Sequence, residues 1–282
     1  MKEIYVINLM GRKESFSSKK VFNSARRAGA SEKLAQEIAL KIQEEVFPGM
    51  KTSEIFKKVK QLLKQGDKSS SLRFSLKEAM RKLGPSGFPF EKYIGDIFSA
   101  QGFKILLNQK INGQYARHEI DFLAEKNKLL YVGECKFRMR PGERIDLGII
   151  LAIHSRFLDL QKGNYFRKFK GYKIKPILVT NAKFSSQAKR YSKGVGIELL
   201  GWNYPLGKGL EYIIEEKGLY PITILPSLTS RLMEIFANEE MMIVQDVLEI
   251  NIKEFCGKYK IKENKILSLI SEAKILIDNY TE

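Results

Sequence analysis

Apolar and polar residues alternate with different periods in three successive parts of the chain. Up to about residue 84, after a short strand and turn in IYVINLMGRKESF, apolar residues recur every three to four positions, as on the buried face of a helix. Between about 88 and 220, helical stretches alternate with segments rich in strand formers. From 221 onward only the helical period remains. The pattern predicts a multi-domain α/β protein with domains 1–84, 88–220 and 221–282.

Local signals support these divisions. Ser31 and Thr52 stand where helix N-caps belong, and the cluster GPSGFP, residues 84–89, predicts a break between the first two domains. No apolar run reaches the roughly 18 residues needed to cross a bilayer, and the start of the chain lacks the apolar core of a secretory signal. The distant Cys135 and Cys256 indicate neither a disulfide framework nor a cysteine zinc site. We therefore expect a cytoplasmic protein with no membrane partner.

The charge of the chain points to an anionic partner. The formal net charge is +17, which favours nucleic acid, although a lysine-rich solvated surface is the alternative. Residues 138–193 hold 14 Lys and Arg against three acidic residues. In this stretch aromatic residues alternate with bases in NYFRKFKGYKIK, as in proteins that bind a nucleic acid backbone. DNA or RNA is therefore expected in preference to a membrane surface.

One predicted hairpin of the middle domain carries charged residues where strands are usually apolar. HEIDFLA and LLYVGECKF are separated by Asn127-Lys128, a two-residue turn in which Asn tolerates positive φ. This turn places Asp121 opposite Glu134, and Glu119 opposite Lys136. Alternation then puts the four side chains on one face. The opposite face is predicted to be the core face and carries Ile120, Phe122, Tyr131, Cys135 and Phe137.

Facing carboxylates repel each other unless a positive group lies between them. A hard divalent cation such as Mg²⁺ meets that need with oxygen ligands and retained waters, and a neighbouring Lys136 can orient a water or stabilise charge on a phosphate. The alternative is an exposed face on which Glu119 pairs with Lys136 and Asp121 meets solvent. His118, next to the acids, is either a phosphate contact or a structural histidine.

The order of these residues resembles the core of the PD-(D/E)XK nuclease superfamily. Asp121 in EID matches the first acid of that core, and Glu134 and Lys136 in ECK match its Glu-x-Lys. Ile120 stands where the pattern has proline. The segment KPILVTNAKFSSQAKRYSKGVGIELLGW resembles the closing strand–helix–strand of Mrr-type restriction endonucleases and Holliday-junction resolvases. The resemblance covers roughly residues 88–204.

This resemblance implies a restriction-endonuclease-like α/β/α core with a mixed sheet, and metal-dependent hydrolysis of duplex or branched DNA. Asp121 and Glu134 would bind Mg²⁺ or Mn²⁺, with Cys135 giving its backbone carbonyl. Lys136 would serve the nucleophilic water. Glu91, in the preceding helix, would be a further catalytic acid that supports the metal shell. A homodimer is expected, because cutting two strands needs two sites. A protein that binds DNA without cutting it is the alternative.

The first block resembles an ATP-cone, the nucleotide-binding regulatory module of ribonucleotide reductases. The matching segments are VINLMGRKESFSSKKV, GMKTSEIF and RFSLKEAM, although Asn8-Leu9 stands where the family has a basic pair. The resemblance implies ATP or dATP as an effector, and the alternative is a helical scaffold or dimerisation surface. The residues that would hold the nucleotide are Glu14, Lys20, Lys51 and Thr52.

The last block is the least informative part of the chain. MMIVQDVLEINIKEFCGKYKIKENKILSLISEA resembles paired helix–hairpin–helix segments, which bind phosphates through backbone amides. Gly257 is the one glycine in this stretch, whereas such hairpins use glycine at the phosphate. A helical lid or an oligomerisation bundle is the alternative.

Overall fold

The structure is a computed structural model that describes residues 4–84 and 88–278. The predicted break at 84–89 spans residues 85–87, which lie outside the described residues. The strands are β1 Tyr5–Ile7, β2 Lys13–Ser15, β3 Lys104–Asn112, β4 Arg117–Lys126, β5 Leu129–Cys135, β6 Arg144–Ile145, β7 Lys173–Val179, β8 Lys183–Phe184 and β9 Glu198–Leu200. The helices are α1 Ser18–Arg27, α2 Glu32–Glu45, α3 Thr52–Gly66, α4 Lys68–Phe74, α5 Leu76–Arg81, α6 Phe88–Ala100, α7 Leu147–Lys162, α8 Ser186–Val195, α9 Leu210–Lys217, α10 Ser230–Asn238, α11 Val244–Leu248, α12 Ile252–Tyr259 and α13 Glu263–Ile277. Within these described ranges, no helix is both long enough and apolar enough to cross a membrane.

The chain divides into two compact units. The first contains the described parts of Met1–Met80, Ile222–Ser230 and Val244–Glu282, and the second contains Arg81–Pro221 and Arg231–Ile243. This grouping differs from the three predicted domains, because N-terminal and C-terminal helices pack together in the first unit. Arg73 on α4 donates a hydrogen bond to the carbonyl oxygen of Leu276 on α13, at 3.4 Å.

The first unit is helical apart from the β1–β2 hairpin. Apolar residues from α1, α2 and α3 form its core, including Ala25, Ile38 and Leu63. Ser31 caps α2 as predicted, because its side chain accepts a hydrogen bond from the Leu34 N–H. The prediction of Thr52 as an N-cap was wrong: Thr52 is the first residue of α3, and the cap position belongs to Lys51.

The second unit is built on the mixed sheet that the sequence predicted. Its five strands are ordered β3-β4-β5-β7-β9, with antiparallel pairing from β3 to β5 and parallel pairing from β5 to β9. Helix α6 packs on one face, where Gly95 lets Leu107 of β3 approach closely. Helices α7 and α8 cover the other face, through Ile153 and Ala188. The three parallel strands therefore end at a common edge, between helices on both faces.

Candidate active site

The predicted hairpin turn is present. Asn127 and Lys128 have φ of 50° and 58°, the left-handed conformations of a tight two-residue turn. The register follows from it, with Lys126 opposite Leu129 and pairing that continues to Phe122 opposite Gly133. At that point the β4–β5 ladder ends, one pair before the predicted partners Asp121 and Glu134.

The two predicted charged pairs were wrong, because the β4–β5 ladder does not extend beyond Phe122 and Gly133. Glu119 pairs across β3 with Lys110, and their side chains form an ion pair at 3.2 Å. Beyond Gly133, β5 stays paired with β7, and the Lys136 N–H donates to the carbonyl of Val179. Ile120 and Val132 both pack toward α7, so alternation places Glu119 and Glu134 on opposite faces, and the four charged side chains do not share one face.

An interruption in the β3–β4 ladder changes the orientation of the residues around Asp121. Its partner in register is Asn108, which has a left-handed conformation with φ of 52°, and regular pairing skips this position. Ile120, on the N-terminal side of Asp121, faces α7, and Leu123, on its C-terminal side, faces α7 as well. Phe122 packs against Phe98 of α6. The prediction that Ile120 and Phe122 share a face was therefore wrong.

Asp121 lies at this irregular position, where a backbone group holds its carboxylate. The Cys135 N–H donates a hydrogen bond to Asp121 Oδ2 at 2.7 Å, in place of a ladder bond. Burial raises the pKa of Asp121, the negative charges of Glu134 and Glu91 raise it further, and the value reaches about 7. Burial likewise raises the pKa of the Cys135 thiol. Cys135 thus orients Asp121 through its N–H, while a contribution of its carbonyl to a metal stays a prediction.

The structure brings the four predicted catalytic residues into one electrostatic cluster. Glu91 lies in the first turn of α6, and this turn adjoins the end of β5 because Phe90 packs on Phe137 with ring centroids 5.4 Å apart. Burial raises the pKa of Glu91, and the charge of Glu134 raises it further. The ammonium of Lys136 opposes both shifts. Three acids and one lysine are thus gathered at the carboxyl end of β5.

Arg156 is a member of this cluster that the sequence reasoning missed. The side chain of Glu134 is 7% exposed, Lys136 Nζ lies 2.5 Å from its Oε1, and Arg156 on α7 forms an ion pair with its Oε2. A buried carboxylate needs such compensation. A signal was present in the sequence, since Arg156 lies between Ile153 and Phe157 on the apolar face of a helix, where an arginine indicates a buried acid.

We expect Arg156→Gln to lower the free energy of unfolding by about 2 kcal/mol, since breaking a largely buried ion pair is costly and Lys136 compensates only in part. Urea denaturation in metal-free buffer measures this change. The double variant Glu134→Gln/Arg156→Gln should recover most of the loss, because it leaves no unpaired buried charge. Additive losses in the double variant would show that the two side chains do not interact in solution.

Two side chains beyond the parallel strands hold the segment that follows Glu134. Thr180 Oγ1 donates to the carbonyl of Lys136 at 2.5 Å. Asn181 accepts from the N–H of Arg138 and donates to its carbonyl, each at 2.8 Å. The backbone around Lys136 is therefore attached to the loop after β7, and ligands of open α/β sheets commonly bind at such an edge.

The aromatic residues of the basic stretch 138–193 are mainly structural. Phe166 is buried in the core beneath α7, and Tyr165, Phe169 and Tyr172 pack against that core. Lys168 lies over the Tyr165 ring, 3.9 Å from its centroid. The alternation of aromatic and basic residues therefore arises from core packing on one side and solvent exposure on the other.

Three of the four predicted nucleotide contacts line one cavity in the first unit. Glu14, Lys20 and Thr52 border a cavity of about 250 Å³ whose apolar wall includes the stacked rings of Phe56 and Phe74. Lys51 is exposed and does not line it.

Asn8, at the position where the resemblance to an ATP-cone predicts a basic residue, closes the β1–β2 turn. It accepts hydrogen bonds from the N–H groups of Met10 and Arg12 and lies 3.5 Å from Glu14. The Asn8 side chain therefore stabilises the turn next to the cavity through these hydrogen bonds.

Comparisons with known proteins place the chain in a family. An uncharacterized protein of Archaeoglobus fulgidus is 33% identical over 188 residues, which are 64% of this chain and 98% of that protein. Residues 220–277 match the family described as AF1548-like, C-terminal. The chain belongs to the AF1548-like family. Its fold is shared with the crystal structure of AF1548, a protein of unknown function, at 31% identity and a TM-score of 0.59 over 68% of this chain and 98% of that one.

A second solved structure is much less similar. MspJI restriction endonuclease in complex with a 27-mer oligonucleotide is 11% identical, with a TM-score of 0.31 over 52% of this chain and 31% of that one. A likeness at this level bears on neither fold nor function. The function of this family member therefore has to be inferred from its site.

Proposed function

We propose that the second unit hydrolyses phosphodiester bonds of DNA in a metal-dependent reaction, as an endonuclease. The observation that carries this proposal is the convergence of Asp121, Glu134 and Glu91 around Lys136 at the carboxyl end of the sheet. Such a cluster is costly for folding, since burial and mutual repulsion raise the pKa of Asp121 to about 7. Raised pKa values of this kind are typical of functional sites.

The donor set fits a hard divalent cation. Within residues 4–84 and 88–278, no three His, Cys, Asp or Glu side chains are arranged to hold a metal ion by themselves. Mg²⁺ does not require this, because it keeps several waters and binds through one or two carboxylates. Asp121 and Glu134 would hold it, and the repulsion between them is what a cation relieves. Bound Mg²⁺ or Mn²⁺ supplies a Lewis acid for the phosphate oxygens.

The remaining steps are assigned to side chains of the chain itself. Lys136 donates to Glu134 in the structure, and its ammonium can donate equally to an attacking water or to a phosphate oxygen that gains charge. Glu91 would orient water in the same cluster. Arg156 forms an ion pair with Oε2 of Glu134, and Oε1 of the same carboxylate contacts Lys136.

The test is cleavage of supercoiled plasmid and of a four-way junction with Mg²⁺, Mn²⁺ or EDTA. Metal-dependent cutting that Glu134→Ala abolishes supports the proposal. Tight DNA binding without cutting, on both substrates and with both metals, would instead indicate a catalytically inactive DNA-binding protein. Competition with RNA at matched salt separates a DNA-directed from an RNA-directed enzyme, because phosphate contacts alone respond to salt and not to sequence.

We further propose that the first unit binds ATP or dATP as an effector. The cavity lining combines the apolar rings of Phe56 and Phe74 with the polar side chains of Glu14, Lys20 and Thr52, as a site for a base and a charged tail requires. Lys20 also borders an open basic depression on α1 that includes Arg26 and Arg27. A base in the cavity with phosphates toward Lys20 accounts for both features.

We expect Lys20→Ala to weaken nucleotide binding about tenfold or more, the effect of losing a charge-assisted hydrogen bond to phosphate. Isothermal titration of the full chain with ATP and dATP measures this effect. Lys33→Ala is the matched control, since Lys33 is an exposed lysine on α2 outside the cavity. Equal heats for both variants, or no binding by the wild type, would refute the proposal and favour a helical scaffold.

A further inference from the structure

The tip of the β3–β4 hairpin presents an aromatic side chain to solvent. Residues 113–116 connect the last register pair, Asn112 and Arg117. Tyr115, in the middle of this connection, is 77% exposed. Single exposed apolar side chains are common on protein surfaces, so the exposure of this ring alone indicates little. The way in which its backbone is held is less usual.

One carboxylate of α7 fixes the backbone on either side of the Tyr115 ring. Asp159 Oδ1 accepts from the Tyr115 N–H at 3.0 Å, and Oδ2 accepts from the Ala116 N–H at 3.2 Å. His118 Nε2 lies 2.7 Å from Oδ2, and the backbone oxygen of Asp159 accepts from the Gln114 N–H at 3.1 Å. His118 is thus structural, and the hairpin tip is anchored to a helix more than 40 residues away.

Close packing further limits movement of the tip. A Cβ on Gly113 would lie 2.0 Å from Asp159 Oδ2, and a Cβ on Gly163 would lie 2.9 Å from the carbonyl oxygen of Asn112. Both positions therefore need glycine. The backbone of the tip is thus held at several points, while the Tyr115 ring is exposed. A ring held in this way can bind a flat ligand with little loss of conformational entropy, because its supporting loop is already ordered.

The surroundings of the ring suit nucleic acid. Arg117 is exposed next to the tip. Tyr115 precedes β4 by two residues and Asp121 by six, so the two residues are at most roughly 20 Å apart at about 3.3 Å per residue. That span corresponds to about six stacked nucleotides at 3.4 Å each. The ring thus lies within reach of a strand whose phosphate is bound at the acidic cluster.

We propose that Tyr115 is a stacking platform for an unpaired base of the nucleic acid substrate, about six nucleotides from the bond that is cut. This inference rests on the proposed nuclease function. A tyrosine ring stacks on any base, because every base has a π-face. The site would therefore favour single-stranded or locally unpaired DNA over continuous duplex without reading sequence.

The test is binding of a fluorescein-labelled 20-mer by the full chain, as a single strand and as a blunt duplex, with Ca²⁺ in place of Mg²⁺. Tyr115→Ala should weaken single-strand binding by about 5- to 100-fold, the contribution of one base–aromatic stack, and leave duplex binding within about twofold. Tyr115→Phe and Tyr115→Trp should bind like the wild type, because stacking needs the ring and not the hydroxyl. Tyr212→Ala, which removes another exposed tyrosine of the same unit, should have no effect.

Asp159→Asn tests the anchor separately from the ring. It should weaken single-strand binding with Tyr115 still present, since a loosened tip has to be ordered on binding. Single-strand binding by Tyr115→Ala equal to that of the wild type would overturn the inference and leave the nuclease proposal intact. A wild-type chain that binds neither form of DNA would overturn both.

Discussion

Lys136→Ala is expected to slow metal-dependent cleavage by about 10²–10⁴-fold, the range for loss of a positioned proton donor or acceptor in a transition state. The ammonium of Lys136 lies 2.5 Å from Glu134 Oε1 and acts electrostatically on Asp121 and Glu91. Its loss removes the positive charge that acts on all three acids, while most of the positive surface that attracts DNA remains. The decrease should therefore appear in kcat, with KM for DNA changed only about two- to threefold.

Single-turnover cleavage of plasmid measures this effect, and Ca²⁺-supported binding of the same DNA measures affinity. Lys104→Ala is the matched control. Lys104 is an exposed lysine at the start of β3, paired with Glu125 near the Asn127-Lys128 turn, at the other end of β4 from the acidic cluster. A Lys136→Ala variant that cleaves at the wild-type rate would exclude Lys136 from the chemistry. A loss that appears only in KM would assign it to DNA binding.

Asp121→Asn is expected to stabilise the protein in the absence of metal. The pKa of Asp121 is raised from its usual 3.8 to about 7, so the folded state binds a proton more tightly than the unfolded state does. Stability is therefore greatest at low pH for this group, falls as pH rises from about 4 to about 7, and levels off above that. The neutral amide avoids this loss, and we expect a gain of about 2–4 kcal/mol at pH 8.

Urea denaturation in EDTA at pH 5 and pH 8 measures the difference. The wild type should lose stability between these pH values more steeply than Asp121→Asn does, and Mg²⁺ should restore the wild type at pH 8 but not the variant. Equal pH dependence of the stability of both proteins would show that the pKa of Asp121 is not raised in the folded state. Equal stabilisation of the wild type and of Asp121→Asn by Mg²⁺ would show that the cation binds at a site that does not include Asp121.

Much of the fold followed from short-range patterns. The Asn127-Lys128 turn and the register from Lys126–Leu129 to Phe122–Gly133 were predicted correctly, because a two-residue loop determines the pairing of the residues next to it. The alternation of strand and helical segments predicted the α/β character of this unit, and the resemblance to the nuclease core implied its mixed sheet. The predicted pairs of Asp121 with Glu134 and of Glu119 with Lys136 failed, because the β4–β5 ladder ends at Phe122 and Gly133, and the Cys135 N–H beyond it donates to the Asp121 carboxylate.

The contacts that complete the site come from distant parts of the chain. Arg156 reaches Glu134 from a helix 22 residues later, and Asp159 holds the tip at Tyr115 from 44 residues away. No periodicity within a strand encodes either contact, since each depends on how α7 packs on the sheet.

By itself the sequence indicated which residues form the proposed site: the acids Asp121 and Glu134, Lys136 two residues later, and the turn that brings their strands together. These are local properties, because side-chain type, strand alternation and turn geometry act over a few residues. Only the tertiary structure decided how the residues meet. The left-handed Asn108 opposite Asp121, the Cys135 N–H that binds its carboxylate and the approach of Arg156 arise from packing of helices on a sheet. That packing depends on the whole core rather than on any single segment.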